Sequence, residues 1–375
     1  IGNGATVAAS NTIQLGNTSV TNVKTSGTIT AGAITIPNTD GTANQVLKTD
    51  GSGTLSWSTP SSGGVPYTGA TGAVNLGAYD LTVNGMTVGK GGGAVASNTA
   101  NGYQALNSNT TGAYNTANGY QALLSNTWGY ENTANGYEAL KANTTGNANT
   151  ANGYKALLSN TSGYSNTANG GYALYYNTTG GNNTATGRGA LSYNTEGDAN
   201  TANGFQALLY NTTGNNNTAN GYEALRQNTT GHSNTANGYY ALRQNTTGNV
   251  NTANGTRALY NNTTGTNNTA NGTAALYSNT TGDYNTAIGT GALSSNTTGS
   301  NNTALGHSAN VSTNNLSNAT AIGYGATVTA SNKVRIGNSS VAVIEGQVAF
   351  TSLSDGRIKE NVQEAVPGLS FISQL

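Results

Sequence analysis

Eight aromatic side chains of this chain share one register. Tyr103, Tyr120, Tyr137, Tyr154, Phe205, Tyr222, Tyr239 and Tyr324 are all separated by multiples of 17 residues. An aromatic row of this kind can bind sugar, which makes Tyr103, Tyr120, Tyr137, Tyr154, Tyr222 and Tyr239 the candidate binding residues. The plainer role is a ladder that covers the repeat or packs between chains. Other chemistries are poorly provided for. The chain has no cysteine, hence no disulfide framework, thiolate nucleophile or zinc–thiolate site. His232 and His307 fall in separate repeats without a carboxylate cluster, which reads as surface and not as a metal site. Aspartates are too scattered for calcium-binding nonapeptide solenoids. Gly91–Gly93 lacks the strand, lysine and helix of a phosphate loop and reads as a flexible joint. Nothing calls for a cofactor.

The element that must position these residues is a repeat. From Thr99 to Thr320 a Thr-Ala pair returns every 17 residues, fourteen times, without insertion or deletion. The coil reads T-A-N-G-Y-x-A-L-x-x-N-T-T-G-x-x-N, numbered here as positions 1 to 17. A fixed short period means that each unit is one structural turn stacked on the next. Asn-Thr-Thr-Gly is turn chemistry, because Asn and Thr side chains bond nearby backbone and Gly accepts positive φ. Helical spacing of apolar residues is missing. The expected fold is therefore all-β, a β-solenoid with two short strands and two turns per coil. At about 4.8 Å per coil the shaft would be on the order of 65–70 Å long.

One Leu and two Ala per coil make a thin interior, so association of several chains is expected, as a homotrimer. Position 3 holds Asn in ten coils, then Thr186, Ile288, Leu305 and Ile322. It reads as inward, an Asn ladder bonded along the axis and closed by an apolar plug. Ten of the Asn-Thr turns, including Asn109, Asn143 and Asn228, have the form of N-glycosylation acceptors, which the repeat itself explains.

Only 7% of the 375 residues are charged, and 13 basic residues balance 13 acidic ones. That balance leaves no electrostatic footprint for nucleic acid or an anionic membrane. No apolar run approaches the length needed to span a bilayer.

The last coils, "NTAIGTGALSSNTTGSNNTALGHSANVSTNNLSNATAIGYGATV", resemble the head repeats of trimeric autotransporter adhesins, in which three left-handed parallel β-rolls pack around an axis. Family repeats are usually somewhat shorter and carry an aliphatic where this chain mostly has Asn. Ile1–Val23 matches Ile322–Ile344 at a constant offset of 321, which suggests a neck-like closing piece and an earlier coil array before Ile1. The segments "GTANQVLKTDGSGTLSWS" and "VPYTGATGAVNLGAYDLTVNGMTVG" resemble phage tail-fibre modules, with alternating strands and Asp-Gly and Asn-Gly turns. "LSDGRIKENV" (Leu353–Val362) resembles the start of the endosialidase-type intramolecular chaperone domain. That resemblance implies self-cleavage between Leu353 and Ser354, with Ser354 as nucleophile and Lys359 as base. The other reading is a capping segment with a short C-terminal helix.

The expected organisation is thus a neck-like segment (1–30), a β-stalk with a Gly-rich joint (31–93), the solenoid (94–330), a second neck-like segment (331–352) and the start of a chaperone-like domain (353–375). The expected role is a structural fibre shaft at the cell surface or on a virion. Its partners would be copies of itself and a cell-surface glycan or receptor. The rivals are an ice- or carbohydrate-binding solenoid and a self-cleaving precursor.

Overall fold

The Thr-Ala-Asn triplet that opens each coil forms a three-residue strand. Each strand pairs in parallel, residue for residue, with the strand of the following coil: Thr133 with Thr150, Ala134 with Ala151, Asn135 with Asn152. The computed structural model describes residues 29–31, 34–36, 41–43, 45–59, 81–84 and 86–345, and the parallel ladder runs from Thr99–Tyr103 to Val334–Ile336. Chain contacts divide the protein into two units, Ile1–Asn75 and Leu76–Leu375.

The expected β-solenoid is the observed fold, but each coil contributes one strand where two were expected. Residues at positions 6, 8 and 16 are left-handed, as at Glu138 (φ 54), Leu140 (φ 51) and Ala148 (φ 54), so no second strand can extend through them. A short second ladder appears only near the end, where Asn310–Val311 pairs with Thr327–Val328. The backbone is nonetheless bonded between coils almost everywhere. Gly136 N–H donates to Asn118 O of the preceding coil (2.9 Å), and Leu140 N–H donates to Ala156 O of the following one (3.0 Å). Those bonds hold Leu in a region that costs most residues about 1–2 kcal/mol.

The interior is built from Ala at positions 2 and 7, Leu at position 8, and two Asn columns at positions 11 and 17. All are essentially solvent-free, for example Ala151, Ala156, Leu157, Asn160 and Asn166 at 0% exposure. Asn160 Nδ2 donates to Asn143 Oδ1 of the coil before (2.8 Å) and to Gly163 O of its own turn (3.0 Å). Asn166 Nδ2 reaches Gly180 O (2.8 Å), while its N–H donates to Asn149 Oδ1 (3.0 Å). Among the described residues no buried side-chain nitrogen or oxygen lacks a partner. The core is therefore half amide and half aliphatic, and the amides stay because each is fully bonded.

Position 3 faces outward, against the expectation. Ala at position 2 is buried and strand neighbours alternate, so positions 1 and 3 must lie on the outer face. Its Asn side chains still form a ladder, such as Asn135 Nδ2 to Asn152 Oδ1 (2.8 Å), but on the surface. Ile288 and Leu305 are 42% and 48% exposed there, and are not an internal plug.

The N-terminal edge of the ladder is covered. An antiparallel hairpin, Leu81–Val83 with Met86–Gly89, pairs onto Thr99–Tyr103. Gly92–Ala94 forms a 3₁₀ turn against the first coil, with Gly92 N–H donating to Leu106 O (2.9 Å). The glycine segment read as a flexible joint is thus part of a cap, which satisfies backbone groups that an open edge would expose. In the other unit, Ile29–Ala31 pairs with Ile34–Ile36, and Val46–Thr49 pairs with Leu55–Ser58, both antiparallel. The second hairpin turns at Asp50-Gly51, where Asp50 Oδ1 accepts from Ser52 N–H (2.8 Å) and Thr54 N–H (3.1 Å). A hydrogen bond with the Ser52 side chain, ahead of these two backbone bonds, holds the Asp50 carboxyl down at about 2. The C-terminal helix expected in 353–375 lies outside the described residues.

Candidate binding face

Position 5 follows two residues after the outward position 3, and its side chains stand on the surface. Tyr103, Tyr120, Tyr137, Tyr154, Tyr222 and Tyr239 are between 41% and 44% exposed. The first four stack at centroid separations of 5.2, 4.9 and 5.3 Å with interplanar angles of 9°, 6° and 14°. Phe205, Tyr222 and Tyr239 form a second run at 5.1 and 5.3 Å. The six expected residues therefore fall into two separate stacks, interrupted where Gly171 and Arg188 occupy position 5.

This geometry limits what the stacks can do. Each inner ring spends both faces on its neighbours, leaving edges and phenol hydroxyls to solvent. A pyranose needs a free ring face for CH–π contact, and the inner rings of these stacks offer none. Lys155 lies over Tyr154 at 5.3 Å, closing the first run with a cation.

The interruption is different. Tyr172 meets Tyr154 edge-on (70°), Tyr175 is tilted from Tyr172 by 57°, and Tyr176 stands at 86° to Tyr175. A third aromatic row then runs through Tyr176, Tyr193 and Tyr210, at 5.0 and 5.2 Å. Arg226 covers the end of this row at 5.0 Å from the Tyr210 ring. Between the rows lies a groove of about 390 Å³, with Gly189 on its floor and Tyr172, Tyr175, Arg188, Ser192 and Gln206 among its walls. Sequence reasoning missed this place, because it followed the columns where the repeat is regular. The signal was present as Gly189 at position 6 in the middle of the array, where the flanking coils carry Tyr172 and Gln206.

Ion pairs gather on the same side of the coils. Glu138 Oε1 meets Lys141 Nζ at 2.5 Å and its Oε2 meets Lys155 Nζ at 3.5 Å. The Lys141 hydrogen bond, more than charge alone, holds the Glu138 carboxyl below the usual carboxylate range. Glu223 pairs with Arg243 at 2.6 Å and with Arg226 at 3.7 Å. Tyr240 is pushed up to about 12, chiefly by its hydrogen bond with Tyr239.

His232 is exposed, and His307 stacks on Tyr324 at 5.4 Å. Asn109, Asn143 and Asn228, the glycosylation-type residues, have side chains buried in the amide ladders, at 3%, 0% and 0% exposure. A folded coil offers them to no transferase. Leu353, Ser354 and Lys359 lie outside the described residues. No helix among those residues is long and apolar enough to cross a membrane. The chain matches no protein-family model and no curated protein.

Proposed function

We propose that this chain is the shaft of a trimeric extracellular fibre, of the tail-fibre or surface-filament kind, which makes repeated adhesive contacts with a glycan or receptor. The observation that carries the reading is the insertion-free parallel stack, whose backbone ladder and amide columns make one stiff unit. A weak contact copied along such a rod gains avidity when several copies engage at once.

The trimer rests on the outward position 3. Its middle is an uncharged Asn ladder and its two ends are aliphatic. Leu81 and Val88 extend the column beyond Asn101, at 47% and 40% exposure. Ile288, Leu305, Ile322 and Ile336 extend it at the other end. A surface with the same period and no charge suits copies of itself better than an unrelated partner. Light scattering of the intact assembly, beside the mass of the denatured chain, tests the reading. Three chains per particle are expected, and a monodisperse monomer overturns the trimer.

For a full-length precursor the proposal includes hydrolysis of the Leu353–Ser354 bond, once per chain, by Ser354 with Lys359 as its base. Ser354→Ala should abolish any shift in chain mass, and a shift that persists overturns this step.

A second reading has its own observation. Thr at position 1 and the residue at position 3 both face outward from one in-register sheet, a regular array that ice or a polymer could match. Inhibition of ice recrystallisation by the purified chain would favour it, and inactivity at high concentration would remove it.

A further inference from the structure

We propose that the interruption of the aromatic ladder between Gly171 and Arg226 is a binding site for one acidic saccharide. The proposal deepens the adhesive part of the reading above and rests on it. The rod and its oligomeric state do not depend on this site.

The groove opens where two small side chains, Gly189 and Ser192, are flanked by larger ones in the coils before and after. Gly189 takes position 6 between Tyr172 of the preceding coil and Gln206 of the following coil, and Ser192 takes position 9 between Tyr175 and Leu209. A Cβ placed on Gly189 would meet only Gln206 Cγ at 3.5 Å and Leu209 Cδ1 at 3.7 Å, ordinary van der Waals contacts, so a side chain can start there without a clash. The left-handed backbone at Gly189 (φ 71) does not itself demand glycine. Glutamine holds the same place at Gln104, Gln121 and Gln206, with φ of 54, 53 and 53. Glycine is therefore not needed by the coil here, and what it provides is room.

What lines that room fits a sugar. Tyr172 and Tyr175 are half-buried and meet their aromatic neighbours at an angle, so their ring faces are not consumed by parallel stacking as those of Tyr120 and Tyr137 are. Ser192 and Gln206 supply a hydroxyl and an amide for ring hydroxyls. Aromatic rings and convergent polar groups share the lining, which suits a ligand rich in hydroxyls better than an apolar one.

Charge selects an acidic ligand. Arg188 stands exposed at the rim and makes no ion pair among the described residues, unlike Lys141, Lys155, Arg226 and Arg243. Arg226, on the opposite wall, is held by Gln206 Oε1 (3.2 Å) and only loosely by Glu223 (3.7 Å). A guanidinium fork matches a carboxylate or sulfate in two parallel hydrogen bonds. The chain has zero net charge, which does not favour a polyanionic nucleic acid over a single acidic sugar.

The test uses the full chain and two variants that the repeat itself licenses. Gly189→Gln places at position 6 the residue of Gln104, Gln121 and Gln206 and fills the groove. Arg188→Thr copies Thr256 and Thr273, which occupy position 5 in other coils. Calorimetric titration would use trigalacturonate, a heparin-derived tetrasaccharide and neutral cellotetraose, with thermal unfolding by circular dichroism recorded for each protein. The expected result is one site per chain for at least one acidic probe, with the other acidic probe deciding between carboxylate and sulfate. Gly189→Gln should weaken that binding at least tenfold without lowering the melting temperature. Arg188→Thr should erase the preference over cellotetraose. Failure of both acidic probes, equal binding of cellotetraose, or undiminished binding to Gly189→Gln would each overturn the proposal. If Gly189→Gln unfolds, Tyr175→Leu, which copies Leu124 and Leu158 at position 9, carries the same test.

Discussion

At the residue scale the amides of the interior carry an unusual share of the stability. Asn160 donates to Asn143 Oδ1 and Gly163 O, and its own Oδ1 accepts from Asn177 Nδ2 (2.8 Å). Asn160→Ala should therefore destabilise the solenoid by about 1–3 kcal/mol for each buried group left unpaired. The exposed Thr179→Ala should stay within about 0.5 kcal/mol. Urea unfolding followed by circular dichroism compares the two, and equal midpoints would refute the role given to the ladder. Glu138 gives a prediction in pH. Its folded carboxyl is held below the ordinary carboxylate range, so its contribution is complete above that range and is lost as pH falls through the depressed folded value. Glu138→Gln, the residue of Gln104 and Gln121, removes that dependence. The melting-temperature gap between wild type and variant should be present at pH 7 and narrow steadily as pH is lowered below the ordinary carboxylate range. A gap of constant size would show that the ion pair is not its source.

At the scale of one coil, the glycines at positions 4 and 14 set how closely backbones approach. A Cβ on Gly163 would lie well inside van der Waals contact of Asn160 Oδ1 and of Gly180 O in the next coil. Both neighbours belong to the ladder and neither can swing away. Gly163→Ala should cost about 1–3 kcal/mol through overpacking. Ala at Gly189, where an added Cβ makes only ordinary contacts, should cost less despite its left-handed φ. The comparison is a pair of thermal melts, and the reverse order would show that φ and not spacing governs these glycines. The coil was legible in the sequence to this extent: the turn at Asn-Thr-Thr-Gly and the interior Ala and Leu stand where the repeat places them. The second strand was not legible, because nothing in the residue types at positions 6, 8 and 16 announces a left-handed backbone.

At the scale of the molecule, the outward position 3 decides whether the chain stands alone. Ile288→Asn with Leu305→Asn converts the exposed aliphatic end into what ten other coils carry, so the fold should tolerate it. If copies meet on this face, the double variant should shift a trimer toward monomer in sedimentation at micromolar concentration. An unchanged mass, with the wild type trimeric, would place the interface elsewhere. The interior holds two buried amides per coil besides its Leu and Ala, so a single stack is better bonded than its few aliphatics imply. The case for several chains now rests on the exposed column.

What the amino-acid order determined by itself was the stack. An exact 17-residue register leaves identical side chains one above another, and only a solenoid satisfies all of them together. What only the tertiary structure decided was which columns turn inward and where the pattern opens. Left-handed residues break the two-residue alternation, so facing cannot be counted along the chain beyond the Thr-Ala-Asn strand. Alternation from the buried Ala of position 2 did contain the answer for position 3, but an amide ladder bonds equally well inside or outside a coil. The groove at Gly189 is composed of residues from four successive coils, and its volume comes from a side chain that is absent. Space of that kind exists only once the coils are stacked.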